Sequence, residues 1–246
     1  MADRDQVTDA DADMVAGDQP PSARAPLSRQ RIIGAAVAHI DGEGLASLSM
    51  RRLGTTLGVE AMSLYRYVPS REDLLDAVVE AIIAEMYADS AVLQSPRDGW
   101  QDFLQRLAHG VRRIALAHPR AFPLIASRPP EAPWLRPPLR NLDWVESFLS
   151  ALGEEGFSDV AAVAAYRAFT SFLLGHLLLE VSAHGADVGP LDVLDAGEDE
   201  DEALTEHPNV DRVSGMLSED HAAAEFEESL ESLLDRLQLV RSEHLD

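Results

Sequence analysis

The sequence predicts an all-α protein. Apolar residues recur at spacings of three and four along most of the chain from Leu27 onward, no run alternates apolar and polar side chains as a half-buried strand does, and the breaks fall at Gly and Pro. At 246 residues, with 46% apolar and 26% charged side chains, the chain can form one sizeable core or two modest ones. The expected division is an acidic, disordered tail over 1–26, a three-helix unit over 27–72 and a larger helical domain over 73–246. The last of these contains a mobile acidic loop at 185–206.

The elements follow in order. Residues 1–26 are polar, acidic and lack apolar periodicity, so they cannot bury enough surface to order themselves. A first helix is expected from about Ser28 to Ile40, with Ile32, Ile33, Ala36, Val37 and Ile40 on one face; the run Asp41, Gly42, Glu43, Gly44 stops it. Ser49 can N-cap a short helix reaching Leu57. Gly58 breaks the chain, and a second short helix covers about 60–67. Pro69 and Ser70 punctuate again, and Ser70 with Asp73 forms a capping box in its weaker Asp form. The long helix that follows places Leu74, Leu75, Val78, Val79, Ile82, Ile83 and Met86 on one face.

Further helices are expected from Trp100 to Pro119, over 121–127, from Leu139 to Gly153, from Val160 to Val181, and from Glu219 to Leu239, with a Pro-rich loop from Arg128 through Pro138. The segment 160–181 is apolar on nearly every side, so it must bury more than one face; Ala161, Ala162, Ala165 and Ala168 allow close helix approach. Its length would also suit a membrane span, but Arg167, His176 and Glu180 lie within it, and charges are costly in lipid.

The net charge of −23 argues at first against a nucleic-acid partner. Its distribution matters more. Residues 1–20 carry six Asp and one Arg, and 187–206 carry nine acids and no base. Residues 49–71 instead hold Arg51, Arg52, Arg66 and Arg71 against Glu60 alone. The chain has no Cys, which excludes disulfides and thiolate-held metals and suits a reducing cytoplasm. No basic start leading into an apolar run marks a signal peptide. No nucleophile, base and orienting group stand out, and no Gly-rich phosphate loop occurs, so no enzyme chemistry is expected.

The segment from Leu48 to Val68 carries the most information. Leu48, Leu53, Leu57, Val59 and Leu64 are spaced to pack two short helices together and onto the first helix. This leaves Ser63, Tyr65, Arg66 and Tyr67 pointing outward, and the major groove of DNA admits one such helix. Arg66 can donate a bidentate pair of hydrogen bonds to guanine. Arg51 can reach a base edge or a phosphate. Ser63, Tyr65 and Tyr67 offer hydroxyls to phosphate oxygens. Arg71 joins its charge to the free N–H groups of a helix start, which together suit a phosphate.

These residues resemble the N-terminal domain of the TetR family of repressors. The matching features are Gly44 and Leu45; the run Leu48, Ser49, Met50, Arg51, Arg52, Leu53; Leu57, Gly58, Val59; Ser63 to Val68; and Pro69 to Leu75. The resemblance implies that Ser49, Arg51, Ser63, Tyr65, Tyr67 and Arg71 contact DNA. Arg71 stands where Lys is usual, and Tyr67 where His or Tyr is common. The closing helix, with Phe226, Leu230, Leu233, Leu234 and Leu237, is similar to that of tetracycline-repressor-like C-terminal domains. The resemblance implies a homodimer joined by a four-helix bundle, a palindromic double-stranded operator and a small-molecule inducer.

A pocket is expected among the helices starting near Ser70, Trp100, Leu139 and Ser158, with Met86, Phe103, Leu107, Trp144, Phe148, Tyr166, Phe169 and His176 as candidate lining residues. No paired-His helix motif occurs, so neither a structural metal nor another cofactor is expected, while the family resemblance allows a drug–metal chelate as the ligand.

Overall fold

The computed structural model describes residues 26–89, 92, 96–127, 142–187 and 207–243. The expected tail over 1–26, except Pro26, the Pro-rich loop, and the acidic loop from 188 onward lie outside the described residues. Ten α-helices and one 3-10 turn are found among those described: α1 (Arg29–Glu43), the 3-10 turn (Leu45–Ser47), α2 (Met50–Leu57), α3 (Ala61–Leu64), α4 (Arg71–Ala88), α5 (Trp100–Ala117), α6 (Phe122–Ser127), α7 (Leu142–Glu154), α8 (Asp159–Ala183), α9 (Pro208–Leu217) and α10 (Ala222–Glu243). No strand occurs among the described residues.

Hydroxyl caps start four of the helices. Ser28 accepts from the Arg31 amide, Ser49 from that of Arg52, Ser70 from that of Asp73 and Ser158 from that of Ala161. Each satisfies an amide that the helix leaves without an internal partner. At Ser70 the hydroxyl also donates to the Asp73 carboxylate over 2.6 Å, so the box closes between side chains. Helix α7 is described from Leu142, the expected start at Leu139 lying outside the described residues, and α10 starts at Ala222 and runs on to Glu243. Helix α9 is an addition to the expected set. None of its residues is buried, so it has no core stripe to announce it.

Two cores form. One gathers Ile32, Ala36 and Ile40 of α1, Leu53 and Leu57 of α2, Leu64 of α3, and Leu74, Val78 and Ile82 of α4. The other gathers Phe103, Leu104 and Leu107 of α5, Phe148 and Leu152 of α7, Phe169 and Leu173 of α8, and Phe226, Leu230 and Leu237 of α10. They meet at α4 and α6. Ala121 and Leu124 are buried in the first core, while Ile114 and Ile125 pack against both. Helix α4 contributes Leu74 to Ile82 to one core and Met86 to the other.

Polar contacts tie the same junction. His118, at the end of α5, holds Asp41 of α1 through Nδ1 at 2.7 Å and Glu85 of α4 through Nε2 at 3.1 Å. Arg120 donates to the Gly42 carbonyl. In the larger core, Arg112 of α5 donates to Glu180 of α8 over 3.1 and 2.5 Å, and its guanidinium lies 5.1 Å from the Phe226 ring centroid. Glu180 is buried, and this bidentate pair supplies the compensation its charge requires.

Helix α8 is long and apolar enough to cross a membrane by length and composition alone. It is a core helix: Ala161, Ala162, Ala165, Phe169, Leu173, Leu177 and Val181 are buried beneath its own domain. The alanines expected to ease helix approach thus mostly face inward, with Ala168 half-buried against the same core. The outward face carries Val163, Arg167, Ser171, Gly175 and Leu179 instead.

Candidate nucleic-acid interface and ligand cavity

The turn between α2 and α3 is built by two glycines. Gly58 adopts φ 70° and ψ 34°, a left-handed conformation that costs glycine little. Its amide bonds the Thr55 carbonyl while the Val59 amide reaches back to Gly54, closing a Schellman cap. Gly54 lets the helices approach: a Cβ there would lie 2.8 Å from the Val59 carbonyl oxygen. Behind the turn, the Ser47 hydroxyl donates to the Gly44 carbonyl and His39 Nε2 lies 2.9 Å from the same hydroxyl, which fixes the loop after α1. Because the Ser47 proton is committed to Gly44, His39 Nε2–H is the donor in that contact.

On this frame Leu53 and Leu64 are fully buried, and Tyr65, Arg66 and Tyr67 are exposed in the turns after α3. Ser63 is half-buried on α3, and Met62 beside it is exposed. Arg51 is exposed on the first turn of α2. Ser49 lies just before it, its hydroxyl engaged as the cap. Arg52 pairs with Glu43 over 3.4 Å. Arg71 is exposed at the start of α4, 3.8 Å from Glu72. The fold therefore gathers all seven candidate DNA-contacting residues on the segment from Ser49 to Arg71, on or beside the helix-turn-helix. Met62 was not among the candidates, because an apolar residue at helical spacing reads as core.

A cavity of about 110 Å³ lies where the two cores meet. Its walls are Val79, Ile83, Met86 and Tyr87 of α4, Val111 and Ile114 of α5, Phe122 and Ile125 of α6, Trp144 of α7, and Thr170, Leu173 and Leu174 of α8. Burial, joined by the nearby Asp143 carboxylate, raises the Tyr87 phenol above its ordinary value of 10.0, so it stays protonated.

Of the candidate lining residues, Met86 and Trp144 border this cavity. Phe103, Leu107, Phe148 and Phe169 are buried in the adjoining core and are not among the residues that border it. Trp144 stacks on Phe148 with centroids 5.3 Å apart, so Phe148 backs the wall. Tyr166 is buried against the same pair, and its burial pushes its phenol up to about 12. His176 lies elsewhere, against Phe226 with centroids 5.2 Å apart, and borders a second, polar cavity with Glu180, His184 and His221. Tyr87 and Thr170 were missed as candidates. Tyr87 directly follows Met86 in the sequence, and Thr170 is a polar residue inside an apolar helix, which was the available signal.

The comparisons with known proteins agree with this arrangement. Residues 32–78 match the family model for bacterial regulatory proteins of the tetR family, and residues 94–240 match that for the tetracyclin repressor-like C-terminal domain. The tetracycline repressor protein class E of Escherichia coli is 32% identical over 156 residues, covering 63% of this chain and 70% of that protein. The crystal structure of a possible TetR family transcriptional regulator from Streptomyces coelicolor A3(2) superposes with a TM-score of 0.67 at 30% identity, over 87% of this chain and all of that one. The Streptomyces coelicolor TetR family protein ActR, in complex with (S)-DNPA, superposes with a TM-score of 0.62 at 26% identity, over 88% of this chain and all of that one. With both of its domains matched and a helix-turn-helix set on a helical body that encloses a cavity, this chain belongs to the TetR family of bacterial regulators.

Proposed function

We propose that this chain is a ligand-responsive transcriptional repressor that binds a palindromic operator as a homodimer and leaves it when a small molecule enters the cavity. The observation that carries the reading is α4. Its first turn bears Arg71 beside the reading head, and its far end, at Met86 and Tyr87, forms one wall of the cavity. A helix of 18 residues spans about 27 Å and is stiff, so a wall displaced at one end shifts the other.

Dimerisation supplies the second reading head. The outward face of α8, with its small residues Ser171 and Gly175, and the adjoining α10 are read as the pairing surface. Two heads one helical turn apart, about 34 Å, match two half-sites of a palindrome. The ligand acts by binding the released arrangement more tightly than the DNA-bound one, because only such a difference shifts the equilibrium. The cavity is read as a binding site and not an active site, and the role belongs in the cytoplasm, where the operator is.

The test is a mobility-shift titration with the DNA flanking the protein's own gene, run across salt. A shift that survives competitor DNA and weakens with salt is expected. No specific shift at low salt would refute the reading.

A further inference from the structure

We infer that the cavity between α4 and α8 takes an uncharged aromatic ligand carrying one hydroxyl or carbonyl group, held at Thr170 and bound without a metal ion. The inference rests on the ligand-responsive reading above and names the class of compound.

Among the described residues, three rings, Tyr87, Phe122 and Trp144, and seven aliphatic side chains make most of the wall, and none of the described residues that border it is charged. A carboxylate or ammonium entering such a site loses its hydration with nothing to replace it. Hard divalent cations want several oxygen ligands, and softer ones want imidazole or thiolate. The described residues of the wall provide neither imidazole nor carboxylate, and the chain has no thiol. Tyr87 stays a phenol and so supplies no anionic oxygen.

Thr170 gives the site its direction. It is 3% exposed, it borders the cavity, and its hydroxyl has no hydrogen-bond partner. A threonine within a helix ordinarily satisfies itself on the carbonyl four residues earlier. A buried hydroxyl left unsatisfied is costly, so it favours any occupant that brings a partner. The hydroxyl both donates and accepts, which suits a ligand hydroxyl or carbonyl equally. At about 110 Å³ the cavity encloses one ring, and its opening to the surface with the flexible Met86 side chain leaves room for a second.

The test is equilibrium dialysis of the full-length chain with three probes of one shape: 2-naphthol, naphthalene and 2-naphthoate. Naphthol should bind about tenfold more tightly than naphthalene, the worth of one satisfied hydrogen bond. Naphthoate at neutral pH should bind more than about a hundredfold more weakly than naphthol. The naphthol affinity should be the same in excess magnesium chloride and in EDTA. Thr170→Val should remove the preference for naphthol and leave naphthalene binding unchanged. A naphthoate affinity equal to that of naphthol, a requirement for magnesium, failure of naphthol to bind, or a naphthol preference that survives Thr170→Val would each overturn the inference. The first three use the native chain, so they decide even if the variant misfolds. Operator mobility shifts on the same samples separate the two readings. Intact operator binding with any of those results removes the ligand class alone, and naphthol held at Thr170 with no operator shift removes the repressor reading alone.

Discussion

Replacing His118 by Gln should cost the protein stability at mildly acidic pH and much less at alkaline pH. His118 sits where the two cores meet: its side chain is 13% exposed and bonds both Asp41 and Glu85. Burial lowers the imidazolium pKa, but the hydrogen bonds to Asp41 and Glu85 outweigh it and hold the pKa above the ordinary 6.5. The contact to Asp41 is a charge-assisted hydrogen bond to a group 27% exposed, worth about 1.5 kcal/mol. The contact to Glu85, which is 57% exposed, is screened and adds about 0.5 kcal/mol. Asp41 Oδ1 is buried without a partner, so the positive ring is also what compensates that carboxylate. The expected loss is about 2 kcal/mol when His118 is charged. A raised folded pKa means this stability is fully present below about 6.5 and disappears as pH rises through the folded value. Urea unfolding of the native chain and His118→Gln, at one protein concentration from about pH 5.5 to about pH 9, measures the gap. A gap that stays constant, or that grows with pH, would refute the reasoning.

Three further outcomes are expected. Arg71→Ala should weaken operator and non-specific DNA alike and make the salt slope shallower by about 1, whereas Arg66→Ala should relax base preference by about 1–3 kcal/mol at one position of each half-site; competition binding across salt separates them. Arg112→Ala should destabilise the larger domain by about 3–5 kcal/mol because Glu180 stays buried without its partner, and Glu180→Gln in the same chain should recover part of that in thermal melts. Gly58→Ala should cost about 1 kcal/mol through its left-handed backbone, read as a lower denaturant midpoint.

The sequence revealed the fold where local chemistry and tertiary packing agree. Ser49, Gly58 and Ser70 mark real helix ends because each satisfies or relieves the backbone on its own, with no help from distant residues. The reading head was legible for the same reason: Leu53, Leu57 and Leu64 point inward within one short segment, so Tyr65 and Arg66 must point out. The cavity was only partly legible. Met86 and Trp144 were expected there, but Phe103, Phe148 and Phe169 carry the same helical spacing and belong to the core. Periodicity tells which face of a helix is buried and not whether a void lies beneath it. Helix α9 carries no periodic signal in the sequence because Val210, Met216 and Leu217 remain exposed and form no buried stripe.

Helix α4 also limits where this chain can absorb change. Val79 borders the cavity, while Val78 and Ile82, its close neighbours on the helix, are buried in the core beneath the reading head. A substitution in that stretch alters both environments together and has to be tolerated by both. The walls contributed by α7 and α8 carry no such double obligation, since Trp144, Leu173 and Leu174 lie away from the reading head. A change of ligand preference is therefore easiest to reach by mutation on the α7 and α8 side, leaving the DNA-facing half of the molecule untouched.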